Sequence, residues 1–149
     1  MNVKEYIQSW AESYKKDLTE NIMPFWIEHG WDRVNGGVYT CVNRDGSLMD
    51  TTKSVWFQGR FAFICAFAYN NIENNQEWLD AAKSTLEFIE KHCFDEQGHM
   101  YFSVTAEGQP LRKRRYVFSE TFAAIAMSEY ALATGDQHWA QRALQVFED

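Results

Sequence analysis

The sequence predicts an all-α protein, an α/α toroid in which paired helices surround an axis and carry short β-hairpins at one end. Three observations carry that reading. Residues 55–69 are apolar nearly all round, the pattern of an inner helix with few water-facing positions. Residues 77–93 bear one apolar stripe, Trp78, Leu79, Ala82, Leu86 and Ile89, against Glu77, Lys83, Glu87 and Glu90, the pattern of an outer helix with a wet face. The arrangement then starts again. A shift of 62 residues aligns Gly36 with Gly98, Tyr39 with Tyr101, Gly46 with Gly108, Val55 with Val117, Trp56 with Phe118 and Gln58 with Glu120. Past the inner helix a shift of 61 aligns Gln76-Glu77-Trp78 with Gln137-His138-Trp139, and Ala82 with Ala143. Each unit therefore holds a hairpin, an apolar inner helix and an amphipathic outer helix, and such units stack around an axis rather than forming a simple bundle.

The elements follow in order. Val3, Tyr6, Ile7, Trp10, Tyr14, Leu18 and Ile22 recur every three or four residues, which predicts an amphipathic first helix that Pro24 bends or ends. Asn35-Gly36-Gly37 opens a strand, VYTCV, which turns at Asp45-Gly46 and returns through residues 47–49 as a hairpin. The inner and outer helices described above come next, and the second hairpin and inner helix repeat them. The final ALQVFED closes inside an amphipathic helical pattern with no glycine cap.

At 149 residues and 46% hydrophobic, the chain is read as one domain spanning 1–149. A net charge of -7 argues against general attraction to nucleic acid or an anionic membrane. Cys41, Cys65 and Cys93 are odd in number, widely spaced and set in apolar sequence, which predicts reduced thiols rather than a disulfide framework. The N-terminal MNVKEYIQSW has no apolar core of signal-peptide length, and no segment offers an uninterrupted membrane span, so a cytoplasmic location is expected.

The chemistry gathers at SVWFQGR, where a glutamine and an arginine head an apolar helix. An unpaired buried guanidinium is too costly to be common, so Arg60 faces either a cavity or an internal partner. Trp56 and Arg60 lie four apart on one helical face and present an aromatic wall and a forked donor to one ligand, while Gly59 leaves room for close approach. The other use of Arg60 is a structural ion pair with Glu120 on the next inner helix, and the residues alone leave both open. Arg112-Lys113-Arg114-Arg115 reads as a solvated loop before a helix, with phosphate attraction as the alternative. The spacing of His92, Cys93 and His99 follows no familiar zinc site. No phosphate-cradling glycine loop, no Gly-x-Ser-x-Gly elbow and no required cofactor are found.

The run FWIEHGWDRVNGGVYTCVNRDGSLMDTTKSVWFQGR resembles the N-terminal signature of the N-acylglucosamine 2-epimerase family, and YVFSETFAAIAMSEYALATGD resembles that family's next inner helix; together the likeness covers essentially the whole chain. The resemblance implies an (α/α)6 barrel, isomerase activity, and interconversion of N-acetylglucosamine and N-acetylmannosamine or epimerisation of related sugars. Such chemistry opens the ring, removes the C2 proton and returns one on the opposite face, so it needs two acid/base groups. The enolate between these steps is stabilised by a fixed cation near its oxygen, and Arg60 fits that role. Trp56 would shape the sugar pocket. Tyr116 and Glu120, at the head of the second inner helix, are candidates for sugar hydroxyl contacts, the alternative being a core tyrosine and a structural carboxylate.

The resemblance also implies much longer members whose acid/base histidines lie in later helices. His29, His92, His99 and His138 do not match them, so the chain is expected to be an incomplete N-terminal segment of one barrel domain. About five helices cannot close a ring of twelve, which calls for a missing segment or a second copy, as in a homodimer, to cover the apolar faces. The expected partner is a small-molecule sugar, with acylated amino sugars favoured by the TC and VWFQGR matches. The alternatives are an aldose-ketose isomerase and a truncated, non-catalytic carbohydrate-binding or protein-interaction module.

Overall fold

Helix α1 (Val3–Asp17) starts at a reciprocal capping box: Asn2 Oδ1 accepts from Glu5 N at 2.9 Å and Glu5 Oε2 accepts from Asn2 N at 2.9 Å. The computed structural model describes residues 2–113 and 117–148. The first helix does not end at Pro24. It runs on through a π-helical turn at Leu18–Ile22, the short α2 (Met23–Phe25) and a second π-helical turn at Trp26–Gly30. Proline breaks an α-helix because it lacks an N–H and its ring collides with the carbonyl four residues back. Here the bonding widens on both sides of it, with Met23 N donating to Leu18 O and Trp31 N to Trp26 O, and the helix continues in a shifted register.

The first hairpin is shorter than the five-residue strand expected from VYTCV. Strand β1 (Cys41–Val42) pairs antiparallel with β2 (Leu48–Asp50), and Val38 instead forms an isolated bridge with Trp31. The next strand, β3 (Lys53–Ser54), leaves the first hairpin and pairs with β4 (Ser103–Val104), which pairs in turn with β5 (Pro110–Arg112). The two hairpins are therefore stitched together across the repeat.

Inner helices α3 (Val55–Asn71) and α5 (Phe118–Thr134) lie against each other, while the outer helices α4 (Gln76–His92) and α6 (Gln137–Glu148) pack on them through apolar stripes. Ala62, Cys65, Ala66, Leu86, Ile89, Ala123, Ala126 and Met127 are fully buried at these contacts. Small residues let the two inner backbones approach closely. A Cβ at Gly59 would lie 2.6 Å from the carbonyl carbon of Phe122 and 2.8 Å from Ala123 N, so the room Gly59 leaves is taken by α5 and not by a ligand. The three cysteines are free thiols, Cys41 exposed and Cys65 and Cys93 buried, and burial pushes both buried thiols well above their ordinary range. Among the described residues no helix is long and apolar enough to cross a membrane.

The repeat extends to individual bonds. Asn43 N donates to Ser47 O and Gly46 N to Asn43 O; in the second hairpin Thr105 N donates to Gln109 O and Gly108 N to Thr105 O. His29 lies against Gly46, where the backbone is left-handed at φ 87°, and His92 lies against Gly108 at φ 91°. A side chain at either glycine would be strained and would strike the imidazole. Phe25 and His29 stack with centroids 5.0 Å apart, and so do Phe88 and His92.

Candidate functional site

A buried polar cluster sits beneath the first hairpin. Asp32 caps the following turn, its Oδ1 accepting from Val34 N and Asn35 N at 3.0 Å each and its Oδ2 from Asn35 Nδ2 at 3.0 Å. Lys53 reaches it from the strand that leads into α3. The ammonium is 0% exposed and spends its three protons on Asp32 Oδ2 at 2.8 Å, Gly36 O at 2.7 Å and Ala106 O at 2.8 Å. Its Nζ also lies 4.3 Å from the Phe88 ring centroid and 5.2 Å from that of Tyr39. Burial acts to raise the Asp32 carboxyl, but the Lys53 ammonium and the bonds from Asn35 and Val34 outweigh it and hold the group well below the usual carboxylate range. The Tyr39 hydroxyl is pushed up to about 12, first by burial and then by the neighbouring Asp32 carboxylate.

The first turn of α3 is strapped to this hairpin by Gln58, which is fully buried. Its Oε1 accepts from Val38 N at 2.7 Å, and its Nε2 donates to Val38 O at 2.9 Å and Ser54 O at 3.2 Å. That is why a glutamine heads an apolar helix: it takes the N–H and carbonyl of Val38 that the bridge to Trp31 leaves free.

Arg60, two residues on, is exposed and borders a hollow of about 420 Å³. Phe57, Phe61 and Ile64 of α3 form one wall, Leu18, Ile22, Met23 and Trp26 of the first helix another, and Val38 and Tyr39 the hairpin side. The structural alternative for Arg60 does not hold: no Arg60–Glu120 ion pair exists, and among the described residues its guanidinium has no acceptor at all. Trp56 does not share the hollow. It is half-buried and packs on Phe57, Phe118 and Phe122, with centroids 4.1, 5.4 and 5.6 Å away, so the aromatic walls beside Arg60 are Trp26, Tyr39, Phe57 and Phe61.

Glu120 occupies in α5 the place of Gln58 in α3. Its Oε1 accepts from Met100 N at 2.9 Å, just as Gln58 accepts from Val38 N, while Oε2 is buried without a hydrogen-bond partner. It borders a second hollow of about 330 Å³ between α5 and α6, with His99 and Thr121 nearby. Tyr116 lies outside the described residues, together with Arg114 and Arg115 of the basic run. Of that run, Arg112 lies 5.3 Å over the Phe102 ring and Lys113 pairs with Asp95.

Sequence reasoning missed the Asp32–Lys53 pair and the strap at Gln58. A signal for the first existed: Asp32 matches Asp95, whose Oδ1 accepts from Gln97 N and His99 N at 2.9 Å each. The match falls at a shift of 63 rather than 62, because the first turn is one residue longer.

Among the described residues that line it, the hollow offers one unpaired cation and, as its other titratable group, the Tyr39 hydroxyl. Comparison with known proteins places the chain as a whole. The profile of the N-acylglucosamine 2-epimerase (GlcNAc 2-epimerase) family matches residues 37–149. The N-acylglucosamine 2-epimerase of Rattus norvegicus is 33% identical over 97% of this chain and 35% of its own length. A cellobiose 2-epimerase of Ruminococcus albus is 33% identical over 91% of this chain and 35% of its own. A solved sugar epimerase from a ruminal bacterium superposes with a TM-score of 0.83 at 32% identity, over 92% of this chain and 35% of that one. The chain thus spans about a third of the length of the relatives it matches. With its inner and outer helices forming part of an (α/α)6 barrel, the chain belongs to the N-acylglucosamine 2-epimerase family.

Proposed function

We propose that the chain supplies the enolate-stabilising wall of a sugar 2-epimerase that interconverts N-acetylglucosamine and N-acetylmannosamine. The observation that carries this reading is the Arg60 guanidinium, unpaired among the described residues and bordering a hollow at the head of an inner helix. When the ring-opened sugar loses its C2 proton, the electron pair moves toward the carbonyl oxygen, and a guanidinium at this place stabilises the negative charge that appears there. A planar fork suits that oxygen and its neighbouring hydroxyl. Trp56 acts through Phe57, whose ring it backs at 4.1 Å. Glu120 and Tyr116 stay candidates for sugar hydroxyl contacts, Glu120 from the hollow between α5 and α6, where its Oε2 is buried without a partner.

The pair of groups that removes and returns the proton comes, in this proposal, from the barrel portion that the longer relatives possess beyond the matched third. The cellobiose 2-epimerase relative, equal in identity to the rat enzyme, favours a second reading in which the same site takes a disaccharide. An interconversion assay on the 149-residue chain and on a polypeptide extended past Asp149, with N-acetylmannosamine, cellobiose and mannose in parallel, separates these. The expected result is turnover of the acylated amino sugar by the extended polypeptide alone. Turnover of only cellobiose or mannose would replace the substrate. No turnover of any by a folded, extended polypeptide would favour a non-catalytic module.

A further inference from the structure

We propose that Lys53 is a positioning residue for the sugar site: buried beneath both hairpins, it fixes the Val38–Tyr39 wall of the hollow opposite Arg60. The proposal rests on the sugar-epimerase reading for the identity of the ligand, but not for the geometry. The Lys53 ammonium ties two segments to its own strand, bonding the Asp32–Gly37 turn at both Asp32 Oδ2 and Gly36 O and the second hairpin at Ala106 O. Tyr39, on the hairpin side of the hollow, has its ring centroid 5.2 Å from the same ammonium, and its N–H donates to Gly30 O, two residues before Asp32. Lys53 also precedes by two residues the start of α3, the helix that carries Arg60. Lys53 therefore links the turn that leads into Val38–Tyr39 with the strand that leads into the Arg60 helix.

Stability alone does not account for such a pair. An ion pair fully removed from water loses hydration that its own attraction barely offsets, and apolar residues of similar volume commonly replace one without loss of stability. What apolar residues cannot reproduce is the directionality of three bonds from one ammonium. In the second unit the counterpart carboxylate, Asp95, takes a partner from the loop, Lys113, whose side chain is 42% exposed. Among the described residues, the buried three-way tie is found in the unit that carries Arg60; Arg115, which matches Lys53 at the shift of 62, lies outside them.

The test uses the 149-residue chain and two double variants, K53M/D32L, which replaces the pair by apolar groups, and K53M/D32N, which keeps an acceptor for the amides of Val34 and Asn35. Three quantities are read: the melting temperature, the amide exchange rates of Val38 and Tyr39, and the shift of the Arg60 Nε–H resonance on addition of N-acetylmannosamine. The expected result is a melting temperature within a few degrees of wild type, Tyr39 exchange at least tenfold faster, and a sugar response weakened at least tenfold. If both double variants keep wild-type exchange at Tyr39, or if neither folds, the positioning role is overturned, since the pair would then be either idle or simply the fold's support. If wild type shows no response to the sugar while Tyr39 exchange still rises in a folded variant, the positioning role stands and the sugar assignment fails.

Discussion

The two hairpin-helix units share a backbone plan and differ in how their polar groups are paired. In the first, Gln58 meets both the N–H and the carbonyl of Val38, and Asp32 is matched by a lysine with no exposure. In the second, Glu120 meets only the N–H of Met100 and leaves one oxygen buried and unpartnered, and Asp95 is matched from the surface. Gly59 admits the backbone of α5, whereas its counterpart at the same shift is Thr121, whose hydroxyl donates to Val117 O at 2.7 Å. The difference follows position in the ring. The first unit is covered by the second, and the polar groups beneath its hairpin, Gln58, Asp32 and Lys53, are all paired within the protein, although Ser54 Oγ stays buried without a partner. The second unit faces an open edge, where Val117, Phe118, Ile125, Leu144 and Phe147 are exposed.

The comparison can be broken most forcefully at the lysines. Lys53→Met alone strands the buried Asp32 charge and is expected to cost about 3–5 kcal/mol in urea unfolding, while Lys113→Met, at the surface pair, leaves the midpoint nearly unchanged. Equal effects would mean the two carboxylates are not in different environments. The same pair shapes the acid limb. Because the folded-state Asp32 carboxyl is depressed, its stabilising contribution is complete above the ordinary carboxylate value of about 3.9 and is lost as pH falls below it. Wild type should therefore lose stability between about pH 4 and pH 2 more steeply than K53M/D32L does, and parallel melting curves across that window would refute the assignment.

At the helix heads, Gln58→Glu removes the donor to Val38 O and Ser54 O and sets an acceptor against them, with an expected loss of about 3 kcal/mol. Gly59→Ala forces a methyl group into the α5 backbone and should cost about 2 kcal/mol by the same unfolding measurement. The smallest change has the opposite sign. Glu120→Gln supplies at Oε2 the donor that the first unit already has, and a gain of about 1 kcal/mol is expected; a loss would show that the second strap is not built on the plan of the first.

Periodicity and the repeat made the helices, their inner and outer roles and the hairpin turn at Asp45-Gly46 legible, because each is a local pattern or a recurrence of one. The continuation of the first helix past Pro24 was not legible: the strong local signal of a proline is overridden by widened turns that no residue pattern announces. Nor was the burial of Lys53, since lysine ordinarily marks the surface and its partner lies 21 residues away. Arg60 was singled out by its setting in an apolar helix, and the structure puts it beside a hollow. Its pairing with Trp56 was read from helical spacing, which fixes a face but not what the next helix packs against. Phe118 and Phe122 decide that.

The most direct measurement is C2 proton exchange in heavy water, followed by NMR of N-acetylmannosamine with a polypeptide that contains this chain and extends past Asp149, in wild-type and Arg60→Ala forms. Wild type should incorporate deuterium at C2, and the variant, with an unchanged melting temperature, should do so about a hundredfold more slowly, corresponding to roughly 3 kcal/mol of lost transition-state stabilisation. Exchange at the wild-type rate in the folded variant would contradict the account.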